Sequence, residues 1–451
     1  MTVLKDYLQI EFGLSGLDDE KVCGVPIWRL ARTQFRWRVR DSRPFTVSTD
    51  INLWNVAINF LRSFFSLVKL AIFGKKVTAL FFPHPRLFFV NGQYLERLSD
   101  PLIDVSGIKD YLILERNQNG THKRPRYHQS HVVYLDFIDV SVRLISYIAK
   151  PFIARKYRKQ IDSLYEKLNV GFHLNDENYK VFFANVITNF LLSRWFIHPI
   201  ILKLNPKVAF FAPRGTFDYA TSLCKQYGAT TIELQHGIVI DESDLYTTNE
   251  YSPEYDPDYF FVFGSSNIGL QYGMPIERVL NIGFPYKSYI KSLGGKAYSS
   301  NVALVASEPE LTDKLIAVLK DIVNHYPQYE FHIRCHPQER LSEKQYESIS
   351  DCPQIQVVDN RVESFCALSQ YEVVIGEISS VLFEAMSLGK KVARLNYGGL
   401  NAKETELLHG GTIVNSAEDY HKFITTPYSD ENDSKEIYSD YQYETLNRIL
   451  K

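Results

Sequence analysis

The chain has 451 residues, which is more than one ordinary hydrophobic core accommodates, so we expect two domains. Hydrophobic residues make up 45% and charged residues 23%, as in globular proteins, and a formal net charge of -2 gives no basic excess for a nucleic-acid partner. The five cysteines (Cys23, Cys224, Cys335, Cys352 and Cys366) lack the spacing of a zinc site and favour a reducing compartment over a disulfide framework.

We expect no secretory signal at the N-terminus. Its first residues lack a basic region followed by an apolar core and a cleavage site of small residues. No run of about 18 uncharged apolar residues occurs in the chain, so we expect no transmembrane helix. Together these features predict a cytoplasmic protein.

Residues 1–76 are expected to form an N-terminal helical extension that is basic and amphipathic. It contains two helical segments, residues 26–38 and residues 51–74, and the second is the most apolar helical segment of the chain. These segments either pack as ordinary core helices or lie on the anionic inner face of the cell membrane, with Trp28, Trp37 and Trp54 near the headgroups. The sequence leaves both interpretations open.

Residues 77–285 alternate short apolar runs with helical or turn segments, which predicts the parallel sheet of an N-terminal Rossmann-like domain. The expected strands are residues 77–82, 111–114, 207–212, 230–234, 259–263 and 279–282. Long helices are expected near residues 134–168 and 177–203. The basic polar loop at residues 115–131 is expected to be exposed.

Residues 286–430 repeat the alternation and predict a C-terminal Rossmann-like domain. The expected strands are residues 302–305, 329–334, 355–358, 372–375, 391–395 and 412–414. Residues 283–287 are interpreted as the linker, and residues 431–451 as a helix that crosses back to the first domain. The predicted fold class is therefore α/β, with two doubly wound domains facing each other across a cleft.

The unit from Phe331 to Gly399 carries candidate nucleotide-binding residues. His336 and Pro337 follow one predicted strand, and Ser379 and Ser380 open the helix after a later one. Ligands of such units lie at the carboxyl ends of the strands, and the free N–H groups of a helix N-terminus favour an anion. We expect these residues to hold the phosphate of a nucleotide or sugar phosphate. The alternatives are a histidine with no ligand and serines that only cap the helix.

The first domain offers two candidate catalytic bases at the ends of its strands. Asp218 comes shortly after the strand at residues 207–212, and His236 follows the strand at residues 230–234. Either side chain can take a proton from a substrate hydroxyl. We place His236 first because Gly237 beside it suits a tight substrate loop.

Further residues at this edge are expected to contact the substrates. Arg214 can bind an anionic group of the donor or acceptor, and Gln235, Gly237 and Ser265 are expected to line the acceptor side of the cleft. Residues 256–258, Asp-Pro-Asp, resemble the DxD metal motif of another transferase class. They precede a strand and contain a turn-forming proline, so we interpret them as structural and expect no metal ion.

Motifs in a fixed order carry a resemblance to a known group of enzymes. They are Gln235-His236-Gly237, Gly283-Phe284-Pro285, His336-Pro337 and Ser379-Ser380 with Phe383-Glu384-Ala385. Their order resembles that of the GT-B-fold transferases of bacterial surface polysaccharides. The most similar patterns are polysialyltransferase-like and Kdo-transferase-like enzymes and the CDP-glycerol glycerophosphotransferases of teichoic acid synthesis. The resemblance covers about residues 205–400.

The resemblance implies a glycosyltransferase of capsule or lipopolysaccharide O-chain biosynthesis. The expected donor is a nucleotide sugar, first of all a CMP-sugar, held by His336-Pro337 and the serine pair, and the acceptor is a saccharide or lipid-linked saccharide. Glu384 is assigned to the ribose hydroxyls, with Glu377 as a further candidate for ribose or base contact. No cofactor is expected.

The chain departs from the sialyltransferase pattern at one position. Where those enzymes carry an acidic pair followed by glycine, this chain has Gln235-His236-Gly237, which leaves His236 or a nearby carboxylate as the candidate base. The alternatives in function are a CDP-glycerol or CDP-ribitol phosphotransferase, a nucleotide-sugar epimerase, and a non-catalytic polysaccharide assembly subunit with a GT-B shell.

Overall fold

The computed structural model describes residues 2–41, 53–117, 120–174, 178–239, 246–270, 272–293, 298–308, 310–336, 341–402, 410–427 and 437–450. Pro337, expected to stiffen the turn after His336, lies outside these ranges, as does the first part of the predicted helix at residues 431–451.

Helices α1 and α2 of the N-terminal extension belong to the core of the first domain. The elements of the extension are α1 (Thr2–Gly13), β1 (Lys21–Val22), β2 (Val25–Pro26), α2 (Ile27–Asp41) and α3 (Leu53–Phe73). Trp28 on α2 is 2% exposed, its ring meets Phe35 edge-on, and Phe35 packs against Phe172. Because these rings are buried, α2 adopts the core arrangement and does not present Trp28 to a membrane.

Helix α3 bears on the expectation that the chain has no transmembrane helix, which stays a prediction. It has 21 residues, and by length and composition alone it is the one helix in the described part of the chain that is apolar enough to cross a membrane. One side of it packs on the first domain, where the Ser63 hydroxyl donates a hydrogen bond to the carbonyl oxygen of Tyr134 at 2.6 Å and accepts one from the Phe137 N–H at 3.0 Å.

A parallel sheet forms the centre of the first domain. Its strands and the adjoining hairpin are β3 (Ala79–Phe82), β4 (Phe88–Val90), β5 (Gln93–Leu95), β6 (Tyr111–Glu115), β7 (Val132–Tyr134), β8 (Val208–Phe211), β9 (Thr230–Leu234), β10 (Tyr259–Val262) and β11 (Val279–Asn281). Its helices are α4 (Ser99–Ser106), α5 (Asp136–Lys156), α6 (Arg158–Phe172), α7 (Asn178–Leu204) and α8 (Asp218–Gln226). Over the described ranges the sheet has seven parallel strands in the order β11-β10-β9-β8-β3-β6-β7.

Continuous apolar runs explain why β3 and β8 lie at the centre of this sheet. Every residue of both strands is buried, as expected for parallel strands covered by helices on both faces. Phe81 and Phe210 stand opposite each other in the ladder, and their rings stack at 4.6 Å.

The second domain has the strand order of a classical dinucleotide-binding fold. Its strands are β12 (Val302–Ala306), β13 (Glu330–Arg334), β14 (Ile355–Val357), β15 (Val373–Gly376), β16 (Lys391–Leu395) and β17 (Thr412–Val414). Its helices are α9 (Pro285–Leu293), α10 (Thr312–His325), α11 (Glu343–Ile349), α12 (Ser364–Ser369), α13 (Val381–Ser387) and α14 (Ala417–Thr425), and a last helix α15 spans Tyr443–Leu450. In the part of this domain that the structure describes, six parallel strands follow the order β14-β13-β12-β15-β16-β17, in which the direction of winding reverses between β12 and β15.

The two sheets confirm the predicted fold class, two doubly wound Rossmann-like domains with an N-terminal helical extension. A cluster of aromatic side chains joins the domains at the base of the cleft. Phe284 packs against Phe263 of the first domain and against Phe365 of the second, and Tyr438 of the C-terminal segment contacts all three rings.

The C-terminal segment returns to the first domain. The Phe284 N–H donates to the carbonyl oxygen of Ser439 at 3.0 Å, the Ser439 N–H donates to that of Phe263 at 2.8 Å, and α15 packs against α4. Gly283 has φ of +74°, and a Cβ there would lie 2.2 Å from the Asp440 carbonyl oxygen. A glycine is therefore required where the linker and the C-terminal segment cross.

Two sequence-based expectations need correction. The long helix predicted at residues 134–168 is two helices, α5 and α6, that meet at Tyr157. The basic loop expected to be exposed buries Arg126, which is 3% exposed and forms ion pairs with Asp100 at 2.5 Å and Glu115 at 2.7 Å. The expectation failed because the sequence did not show that Asp100 and Glu115 are buried carboxylates able to pair with Arg126.

Candidate functional site

The strand order of the second domain reverses between β12 and β15, and we call the edge formed by the carboxyl ends of these two strands the crevice. In open parallel sheets the ligand binds where the strand order reverses, and here that point lies between these two strands. Their backbones approach closely, since a Cβ on Gly376 would lie 2.9 Å from the Ala306 carbonyl oxygen. The residues predicted to bind the nucleotide follow β15 and the neighbouring strand β13, so the fold brings them to this edge.

The loop after β15 supplies polar groups to the crevice. Ser379 is buried, Ser380 is exposed, and the Ser379 hydroxyl is 3.5 Å from the Val381 N–H. Glu377 accepts a hydrogen bond from the Asn401 N–H at 2.9 Å through Oε1, while its Oε2 is buried without a partner among the described residues. An unsatisfied carboxylate oxygen in a binding crevice is suited to a sugar or ribose hydroxyl. Helix α13, which begins at Val381, has only seven residues.

His336 lies just after the end of β13, and β13 pairs with β12. It is partly exposed, and its carbonyl oxygen accepts a long hydrogen bond of 3.4 Å from the Asn360 side chain. The position agrees with a ligand contact from the edge of the sheet.

Glu384 on α13 faces the first domain. It is 5% exposed, and its Oε1 lies 3.4 Å from Nη1 of Arg97. Burial raises the pKa of Glu384, and the positive charge of Arg97 opposes that shift. Oε2 of Glu384 has no hydrogen-bond partner in the described part of the chain, so the side chain joins the domains and still has one oxygen free for a hydroxyl.

In the first domain the strand order reverses between β3 and β8, and two histidines stack at this edge. His84 follows β3 and His236 follows β9, and their ring centroids are 4.2 Å apart at an interplanar angle of 27°. Burial lowers the pKa of His84 to about 3 and that of His236 to about 4, and the charges of Arg86 and Arg97 act in the same direction. Both rings are therefore neutral at neutral pH.

Arg86 and Arg97 lie close enough to the histidine pair for their charges to act on both rings. Burial lowers the pKa of Arg86, and the neighbouring Arg97 lowers it further. Because a guanidinium stays charged in a protein, the pair supplies fixed positive charge beside the histidines. Such charge suits the phosphates of a nucleotide.

A cavity of about 900 Å³ starts at the histidine pair and runs into the helical layer of the first domain. Its walls come from α2, α5 and α7 and from the loop after β8. The lining mixes polar and apolar side chains, and the polar ones include Arg29, Gln34, Arg38, Arg116, Asp139, Arg143, Asn185, Asn189, Asp218 and His236. Several of these are already paired, for example Arg116 with both oxygens of Asp139 at 2.8 and 2.9 Å. A cavity of this volume can hold a sugar.

Asp218, the first residue of α8, lies in the wall of this cavity. Burial raises its pKa to about 7, although the charge of Arg214 and a hydrogen bond with Tyr255 oppose the shift. Its Oδ1 is buried without a hydrogen-bond partner among the described residues. A carboxylate with a pKa near the working pH and an unoccupied oxygen has the properties of a general base. These properties favour Asp218 over His236, which the sequence placed first.

Arg214 is committed to structural contacts. It is 6% exposed, it forms ion pairs with Asp256 and with Glu233, the latter at 3.4 Å, and its guanidinium lies 4.7 Å from the centre of the Tyr255 ring. With both carboxylates in contact, the guanidinium orders the wall of the cavity. Its predicted contact with a ligand stays a prediction.

Gln235 and Gly237 shape the turn that carries His236. Gln235 is 1% exposed, donates to the Gly237 carbonyl oxygen at 2.8 Å and accepts from the Phe263 N–H at 2.9 Å. Gly237 has φ of +83°, a conformation that side chains with a Cβ rarely adopt. Ser265, after β10, is exposed at the same edge of the sheet.

Sequence reasoning missed His84, Arg86, Arg97 and Tyr255. His84 could have been found, because it follows a buried strand in the same way as His336. Arg97 carried no local signal, since its partner Glu384 is 287 residues away. Within the described ranges, no three His, Cys, Asp or Glu side chains are grouped so that they could hold a metal ion.

No model of a known protein family matches the chain, and no curated protein sequence matches it. Among solved structures, the UDP-GlcNAc 2-epimerase of Methanocaldococcus jannaschii is similar over 83% of this chain and 98% of its own, with 10% identity and a TM-score of 0.47. The UDP-GlcNAc 2-epimerase of Neisseria meningitidis bound to UDP-GlcNAc covers 83% of this chain and 99% of its own, with 12% identity and a TM-score of 0.43. The protein TarM covers 58% of each chain, with 12% identity and a TM-score of 0.34. Similarity at this level transfers no activity.

Proposed function

We propose that the chain is a glycosyltransferase that moves a sugar from a nucleotide-activated donor to a saccharide acceptor. One observation carries this proposal: the first domain has a cavity of about 900 Å³ that starts at the histidine pair, in addition to the sheet edge of the second domain that carries the candidate nucleotide-binding residues. A transferase has two substrates and needs two such compartments. A nucleotide-sugar epimerase acts on one substrate and has no use for the cavity.

The donor would lie in the crevice between β12 and β15. His336, Ser379 and Ser380 would contact its phosphate, and the free oxygens of Glu377 and Glu384 would accept hydrogen bonds from hydroxyl groups of the nucleotide. Arg86 and Arg97 would stabilise the negative charge that develops on the leaving nucleotide phosphate.

The acceptor would lie in the cavity, with one hydroxyl against Asp218. As the hydroxyl oxygen forms its bond to the anomeric carbon of the donor, Asp218 takes the proton and the bond from that carbon to the phosphate oxygen breaks. The electron pair of the broken bond leaves with the nucleotide. His236, neutral at this pH, would orient the substrates by hydrogen bonding.

The resemblance in sequence motifs supports a finer proposal. A CMP-sugar is the first candidate for the donor, and capsule or lipopolysaccharide O-chain is the proposed product, with a saccharide or lipid-linked saccharide as acceptor. The resemblance also supports CDP-glycerol as a second candidate donor, because both donors contain a cytidine nucleotide.

Thermal denaturation with added nucleotides tests the donor site. A ligand at a hundredfold excess over its dissociation constant raises the free energy of unfolding by about 2.7 kcal/mol. We expect stabilisation by CMP or CDP that is lost in His336→Ala. The matched control is His325→Ala, which removes an exposed imidazole on α10 and should keep the response. Stabilisation by UDP or GDP alone would overturn the cytidine assignment, and no response to any nucleotide would overturn the transferase.

A further inference from the structure

The first domain exposes a continuous set of large apolar side chains on neighbouring helices. On α3, Trp54 and Phe65 are 74% and 66% exposed; on α5, Ile148 and Phe152 are 72% and 73% exposed; on α7, Trp195 is 65% exposed. The three helices pack against one another, so their outward sides form one surface, which we call the outer helical face. Exposed apolar area on this scale is unusual for a protein surface with no partner.

Helix α3 has two apolar sides with different surroundings. Its inner side is fixed to the domain, where Ser63 and Leu67 are buried and the Phe60 and Phe64 rings lie 5.2 and 5.0 Å from that of Phe137. Its outer side has no covering element in the described part of the chain. Because the inner side is already packed, the helix is suited to lie flat on an apolar phase and is not free to cross it.

The helical stretches that carry this face are basic. The stretches 53–76, 140–160 and 178–207, which include the outer helical face, contain no aspartate or glutamate, although the chain as a whole has 50 basic and 52 acidic residues. Their basic residues include exposed Arg62 and Lys69 on α3. A second copy of the chain on this face would bring like charges together, whereas an anionic lipid surface would neutralise them.

We propose that the outer helical face docks the protein on an anionic membrane. The apolar side chains would enter the boundary between headgroups and acyl chains, and the basic residues would contact lipid phosphates. This proposal does not depend on the proposed function. The two proposals are compatible, because α5 and α7 contribute to both sites. Ser146 and Ser193 line the cavity, and Tyr147 and Trp195 on the same helices are exposed.

Flotation with preformed vesicles tests the apolar part of this surface. The full chain should float with vesicles of equal parts phosphatidylcholine and phosphatidylglycerol. Phe65→Glu and Ile148→Glu should each lower the partition coefficient by about tenfold or more. Ile276→Glu makes the same kind of change at a 62% exposed position outside the three helices and should float like the unchanged protein. Equal loss in all three variants, or no loss in any, would overturn the proposal.

Vesicles of different lipid charge test the contribution of the basic residues on the outer helical face. Lys69→Gln should lower binding to the anionic vesicles about fivefold and leave the weak binding to pure phosphatidylcholine vesicles unchanged. Melting curves of each variant without vesicles should match that of the unchanged protein, since the substituted side chains are exposed. Two results would overturn flat docking: a dimer held by this face with no flotation, or a protein that is soluble only in detergent because α3 crosses the bilayer.

Discussion

Nη1 of Arg97 lies 3.4 Å from Oε1 of Glu384, and this ion pair joins the first domain to helix α13 of the second. The side chain of Arg97 is 19% exposed and that of Glu384 7%, so the pair is largely shielded from water. Glu384 is also the proposed contact for the ribose hydroxyls. A nucleotide bound there would therefore act on the same ion pair that joins the two domains.

Removing Arg97 should destabilise the protein because it leaves a buried carboxylate without its cation. A double-mutant cycle of Arg97→Met and Glu384→Gln, measured by chemical denaturation, should give a coupling free energy of about 1–3 kcal/mol. The control is the exposed pair Lys320–Asp351, at 3.2 Å, whose coupling should stay below about 1 kcal/mol. Equal coupling free energies in the two cycles would show that the interdomain pair stabilises the protein no more than an exposed pair does.

Asp218→Asn should lower the transfer rate by about a hundredfold to ten-thousandfold, because the amide cannot accept the proton of the acceptor hydroxyl. In the unchanged enzyme kcat/KM should rise with pH through about 7, the pKa of Asp218, and the variant should lose this dependence. Asp258→Asn, which loses a partner of Lys225 outside the cavity, should keep the same profile. A profile that survives in Asp218→Asn would return the role of base to His236.

The same substitution should stabilise the fold at high pH. The pKa of Asp218 rises from its ordinary 3.8 to about 7 on folding, so its contribution to stability is complete below about pH 4 and is lost as pH rises through 7. Asparagine has no ionised form. We therefore expect Asp218→Asn to raise the free energy of unfolding by about 2–4 kcal/mol above pH 7 and by little below pH 4. Denaturant titrations across this range measure it, and a pH-independent difference would contradict the raised pKa.

The stacked histidines should make the protein sensitive to acid. Their pKa values fall from 6.5 to about 3 for His84 and about 4 for His236 on folding. Below pH 6.5 the unfolded chain therefore binds protons at these two rings that the folded chain does not bind. Stability from this source is present above pH 6.5 and is lost as pH falls toward 4, by up to about 1.4 kcal/mol per pH unit for each ring. His236→Gln should reduce that slope, and His325→Gln, at an exposed position on α10, should leave it unchanged.

Much of the fold could be predicted because strand signals are local. Runs such as residues 79–82 and 208–211 are apolar at every position, which identifies buried parallel strands without knowledge of their neighbours. The short strand β7 was missed because its three residues are only partly buried and follow a polar loop. The break between α5 and α6 was missed because Tyr157 interrupts the helix without a proline or glycine.

For the candidate site, the rule that ligands meet the carboxyl ends of strands pointed to one edge of each sheet, and ligand binding there stays a prediction. Applied to every strand, it would have added His84 to His236. It could not rank the bases, since the pKa of Asp218 depends on burial and on Arg214 and Tyr255, whose positions follow from packing.

The sequence by itself determined most of the order of strands and helices, the presence of two doubly wound domains, and the edges where polar residues gather. These follow from periodicity and turn residues, which act over a few positions of the chain. Only the tertiary structure decided which ionisable groups are buried and paired: Arg126 with Asp100, Arg97 with Glu384, and Asp218 with an oxygen left free. Burial and pairing depend on contacts between segments far apart in the chain, because the energy of a charge is set by all the atoms around it.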